Sequence, residues 1–71
     1  MDDFKISMAA ARVNAGLTQE AIANALHVGK QTVVSWEKGK TSPTVEKAQE
    51  FCEFCKVPFD RVSFSRERNT I

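Results

Sequence analysis

Lys30, Gln31, Thr32 and Ser35 lie within one short helical pattern, and Lys38, Lys40 and Thr41 follow at its end. These side chains do not break covalent bonds. They donate and accept hydrogen bonds and carry positive charge. Glutamine matches the paired donor and acceptor of adenine, and lysine reaches the acceptors of guanine. Lysines beside them suit phosphates, whose contacts fix register while base contacts carry sequence information. No Gly-rich phosphate loop or catalytic constellation accompanies them. His27, the single histidine, has no carboxylate or nucleophile nearby in sequence and reads as a turn residue within reach of phosphate. Cys52-x-x-Cys55 lacks the further ligands that zinc requires. It also falls late in a helix, away from the strand–helix context of a redox pair. Both thiols are expected to act as buried small hydrophobes, and no metal or cofactor is expected.

Presenting such side chains requires a projecting helix. The stretch TQEAIANALHVGKQTVVSWEKGKTSP, Thr18 to Pro43, reads as two short helices, about 18–26 and about 30–38, separated by three or four residues. Helices joined that tightly cross steeply, so the second turns its polar face outward, a geometry that suits the major groove of DNA. Val33 and Trp36 point inward from it, which places Trp36 in the core and not against a base, and Gly39 ends it. Ahead of this unit, Phe4, Met8, Ala11 and Ala15 recur at helical spacing and predict a first helix over 3–15, stopped by Gly16. Thr18 is the N-cap of helix two, with Leu17 and Ile22 placed as a hydrophobic staple. Ile22, Ala23 and Leu26 form its inner face.

A fourth helix opens at Ser42-Pro43-Thr44, either with Ser42 as cap and Pro43 first in the helix or with Thr44 as cap. Val45, Ala48, Phe51, Cys52 and Cys55 make its apolar stripe. Pro58 starts a short fifth helix with Phe59 and Val62 as contacts. The tail 63–71, SFSRERNTI, has no period and is expected to fray. No strand-like alternation or repeat is visible. The chain therefore reads as one all-α domain over 1–62.

Seventy-one residues make a small domain that buries about 60% of the surface of its unfolded chain. Hydrophobic residues are 42%, so a folded chain is expected. No apolar run approaches the roughly 18 residues of a membrane span. The acidic start MDDFKISM is not a signal peptide, and the chain reads as cytoplasmic. The formal net charge is +1, weak for a nucleic-acid binder, but charge is segregated. Lys30, Lys38 and Lys40 are opposed locally only by Glu37, whereas Glu46, Glu50 and Glu53 fall in the next helix. A local basic face can meet phosphates on a nearly neutral protein.

Gly16-Leu17-Thr18-Gln19-Glu20, Gln31-Thr32-Val33, Ser35-Trp36-Glu37-Lys38-Gly39 and Pro43 closely resemble the Cro/repressor-type (XRE-like) helix-turn-helix family, over roughly Met8 to Val62. The resemblance implies a five-helix lambda-repressor-like DNA-binding domain, usually dimeric on operator half-sites. It implies that Lys30, Gln31 and Ser35 read bases in the major groove. Gln19 would bond a phosphate and brace the first side chain of the recognition helix. Thr32 would meet phosphate or a thymine methyl, and Lys38, Lys40 and Thr41 would meet the backbone. Arg12 and Glu37 stand where the family has a buried ion pair. Three positions depart from the pattern. His27 stands where the family favours the glycine that closes helix two, Gly29 where it favours a Ser or Thr cap, and Lys56 where a glycine commonly follows helix four. Capping of the recognition helix should be weaker by some tenths of a kcal/mol.

Phe54 falls beside the apolar stripe of helix four, with Phe59, Val62 and Phe64 near it in sequence. Together they form either a protein interface or the last part of a small core. The expected function is that of a transcriptional regulator, a repressor of phage, prophage or bacterial origin that occupies double-stranded operator DNA as a homodimer. Its half-sites would lie about 34–36 Å apart or a multiple of that. The ending at Ile71, without a linker or second domain, favours a complete small regulator. The alternative is a protein-interaction module of the same fold, an antirepressor or antitoxin that binds a partner regulator. No site supports an enzyme.

Overall fold

The computed structural model describes residues 5–64. Within them, three of the four α-helices open on a side-chain hydroxyl that accepts an otherwise orphaned helix amide. Ser7 caps α1 (Met8–Asn14), accepting from Ala10 N at 3.0 Å. Thr18 caps α2 (Gln19–Leu26), accepting from Ala21 N at 3.0 Å. Thr44, not Ser42, caps α4 (Val45–Cys55), accepting from Lys47 N at 3.1 Å. The exception is α3 (Lys30–Glu37), which starts at Gly29 and has no side-chain cap.

All four helices close alike. Gly16, His27, Gly39 and Lys56 take φ of 75°, 60°, 79° and 60°. In each case the amides of that residue and the next donate back to carbonyls three and five positions earlier. This double closure satisfies the last carbonyls of the helix. Only two of the four positions are glycine. Helix α2 has an added partner, because Lys47 Nζ donates to the Leu26 carbonyl at 2.7 Å. That bond ties α4 to the negative end of α2.

Phe51, Ile22, Leu26 and Val33 are the largest fully buried side chains, and burying each contributes about 1.5–3 kcal/mol. Met8 and Ala11 of α1, Ala23 of α2, Cys52 of α4 and Val62 complete the cluster. Val33 fastens α3 to it, with Trp36 packed alongside, so α3 lies mainly against α2 and secondarily against α1.

The structure departs from the sequence pattern at both ends of the domain. Helix one begins at Met8. Ile6–Ser7 form strand β1, which pairs in parallel with β2 (Val62–Ser63), Ile6 opposite Val62 and Ser7 opposite Ser63. Ser7 must be extended to cap α1, which sets the start of the helix at Met8. The chain is therefore mostly helical but not strand-free. Where a fifth helix was expected there is a 3-10 turn, Phe59–Arg61, because Val62 turns extended to meet Ile6. Nor does the fold stop at residue 62. Ser63 is paired, and Phe64 lies edge-on to Phe51 (centroids 5.9 Å) and stacks on Phe59 (5.8 Å). Residues 3 and 4 of the expected first helix, Phe4 included, and the tail over 65–71 lie outside the described residues. Among the described residues no helix is long and apolar enough to cross a membrane.

Candidate nucleic-acid interface

His27, Val28 and Gly29 make the whole turn between α2 and α3. Val28 packs against the core, and His27 takes the left-handed conformation. Gly29 sits at φ −77°, ψ 156°, which any residue adopts. The turn thus keeps its left-handed position at residue 27, and the glycine at 29 serves no conformational need. What it removes is a cap, leaving the first amides of α3 without a side-chain acceptor.

From this turn α3 emerges with Lys30 and Gln31 exposed. At about 3.6 residues per turn, Gln31, Ser35 and Lys38 share the face opposite buried Val33. Thr32 and Ser35 are half-buried, while Lys38, Lys40 and Thr41 are exposed. The amides of Lys40 and Thr41 both donate to the Ser35 carbonyl, at 3.0 and 3.5 Å. Ser35 therefore anchors the following turn by its backbone, and that turn carries its polar groups beside the outer face of α3.

A charged brace holds the helix from behind. Arg12 Nε donates to Glu37 Oε2 at 2.7 Å and Arg12 Nη2 to Glu37 Oε1 at 3.3 Å. Arg12 Nη1 donates to the Leu17 carbonyl at 2.9 Å, and Gln19 Nε2 donates to Glu37 Oε1 at 3.0 Å. The two charged side chains are 16% and 7% exposed, so water screens them little. One carboxylate thus joins α1, the turn after it, the start of α2 and the end of α3. Gln19 braces the last residue of α3, a different point from its first side chain.

Charge on the described surface is divided by element. Lys30, Lys38 and Lys40 surround α3, and Glu46, Glu50 and Glu53 lie on α4, where Lys47 is turned toward Leu26 and Glu50. The cysteines are unpaired, Cys52 buried and Cys55 half-buried. Burial pushes the Cys52 thiol up. Burial also pushes up Cys55, reinforced by Cys52 and opposed by Arg12. A thiol held protonated is a poor nucleophile and metal ligand. Among the described residues no group of three His, Cys, Asp or Glu side chains is placed to hold a metal.

The aromatic region at the end of α4 and beyond it divides. Phe54 and Phe59 are 43% and 44% exposed. Phe64 is half-buried against Phe51. Val62, at 3% exposure, belongs to the core and is removed from the candidate interface, because pairing with Ile6 draws it in. Two positioning residues escaped the sequence reading. Ser7 was hidden inside the helix that Phe4 and Met8 suggested. Lys47 carries no local signal, since its partner Leu26 is 21 positions away.

Comparison with known proteins places these features in a wider setting. The helix-turn-helix family matches residues 8–62. The chain is 38% identical over 58 residues to the cryptic phage CTXphi transcriptional repressor RstR of Vibrio cholerae, a stretch covering 82% of this chain and 52% of that protein. It is 29% identical over 69 residues to the HTH-type transcriptional activator BcrR of Enterococcus faecalis, covering 97% of this chain and 34% of that one. The chain thus spans about half the length of the first relative and a third of the second. No solved structure matches it.

Proposed function

The chain belongs to the helix-turn-helix family, and on that premise we propose that it is a sequence-specific DNA-binding transcriptional regulator, a repressor that lays α3 in the major groove of operator DNA. The observation that carries this reading is the polar outer face of α3, held rigid by the Arg12–Glu37–Gln19 brace. Likeness to a transcriptional repressor over most of this chain favours repression.

In this reading Lys30, Gln31 and Ser35 read bases. Thr32, Lys38, Lys40 and Thr41 hold the backbone, and Gln19 offers a phosphate the second hydrogen of the amide that braces Glu37. The 3-10 turn Phe59–Arg61 stands for the fifth helix of the lambda-repressor-like arrangement. One domain reads too few base pairs to find a unique site, so a homodimer on a palindrome is required. Exposed Phe54 and Phe59, the latter stacked on Phe64, are its contact surface.

Binding measurements on two sets of variants test the assignment. Lys30→Ala and Gln31→Ala should each relax the preference at one base pair by about 1–3 kcal/mol. Lys38→Ala and Lys40→Ala should weaken binding to all sequences and each lower the salt slope by about one. The exposure of Phe54 and Phe59 also favours a second reading, a module that binds a partner regulator. If all four polar variants keep their biological effect while Phe54→Glu and Phe59→Glu lose it, that second reading replaces the first.

A further inference from the structure

Three apolar side chains lie on α3. Val33 is fully buried and Trp36 packs against the core. Val34 does neither: it is half-buried yet stands outside the core cluster and the side chains packed on it. By helical spacing it lies one turn beyond Lys30, one turn before Lys38, and next to Ser35 on the outer flank of the helix. A branched residue at such a place contributes little to the helix itself, because valine is among the weaker helix formers. Its methyl groups are also held in one preferred rotamer, so they present a fixed apolar surface amid lysine, glutamine and serine.

The major groove offers one apolar group among its hydrogen-bonding edges, the C5-methyl of thymine. Resting on the DNA-binding reading above, we propose that Val34 is a specificity-determining residue that packs its methyl groups against a thymine methyl within the half-site read by Lys30 and Gln31. The contact adds an apolar preference to a surface otherwise built for hydrogen bonds. It also explains why a valine that does not pack on the core occupies the outer flank of this helix.

Replacing thymine by deoxyuridine removes that methyl and leaves every hydrogen-bonding edge unchanged. The experiment first selects duplexes from a randomised pool with the 71-residue chain, then replaces each thymine of the enriched duplex in turn and measures affinity by fluorescence anisotropy. For the unmodified protein, one position per half-site should lose affinity by about fourfold, the factor that corresponds to one buried methylene-sized group. Val34→Ala and Val34→Ser should bind the thymine and uracil duplexes equally at that position. Alanine favours the helix more than valine, so a folded variant is expected, and a thermal melt verifies it. If no thymine methyl matters, or if both variants remain as sensitive as the unmodified chain, the role of Val34 is overturned while the DNA-binding reading stands. If the pool yields no enriched duplex at all, the DNA-binding reading falls and takes this role with it.

Discussion

At Glu37 three nitrogen donors converge on one carboxylate, and the consequence is unequal exposure to mutation. Glu37→Ala leaves a guanidinium at 16% exposure without its counter-charge, an outcome that costs about 3–5 kcal/mol when a buried pair loses one partner. Against a total stability near the low end of about 5–15 kcal/mol, urea denaturation should find this variant largely unfolded. Glu37→Gln keeps one acceptor and should lose less. The thiols make a second prediction. Their folded pKa values are raised by burial, so the stability they contribute is complete below the ordinary thiol range and is lost as pH rises through the raised values. Thermal melts should therefore fall on the alkaline side of pH 9, and Cys52→Ala Cys55→Ala should flatten that part of the curve. At this scale the sequence was most legible where a residue type has a single chemical use. Arg12 and Glu37 were named only through the family resemblance, since nothing in local spacing pairs residues 25 positions apart.

The helices close alike but differ at their N-termini, where α3 is the outlier. A Cβ added to Gly29 meets nothing within 4 Å, and its φ of −77° suits any residue. Gly29→Ser should therefore stabilise the protein by a few tenths of a kcal/mol from the cap and about 0.4–1 kcal/mol from reduced freedom of the unfolded chain. In a domain this small, that raises the melting temperature by several degrees. Gly29→Asp should stabilise similarly, yet weaken operator binding, because it sets a negative charge at the end of α3 proposed to meet DNA. The two variants thus separate capping from binding. His27→Gly removes a left-handed penalty of about 1–2 kcal/mol and gives back about 0.4–1 kcal/mol to the unfolded state, so a net gain of roughly 1 kcal/mol is expected in a thermal melt. Thr18 was readable as a cap because an apolar period begins right after it. Ser7 was not, because Phe4 extends the period of Met8, Ala11 and Ala15 across it. The strands were invisible because two residues cannot show alternation.

Over the whole molecule, the two ends of the described chain are stitched together. Strand β1 precedes α1, β2 follows the 3-10 turn, and Phe64 closes over Phe51. Phe64→Ala should cost about 2 kcal/mol, short of the roughly 3–5 kcal/mol of a fully buried phenylalanine, because Phe64 is half-buried. A chain cut after Arg61 should fail to give a cooperative melt. Phe54→Glu and Phe59→Glu should leave that melt intact while reducing operator affinity by loosening the proposed dimer, with the half-site preference unchanged. Recognition of operator DNA is checked by selecting bound duplexes from a randomised pool and titrating the enriched sequence at about 50 and about 200 mM salt. A palindrome whose affinity falls steeply between the two salts is expected. A pool that stays random, with only feeble binding at the lower salt, would contradict it.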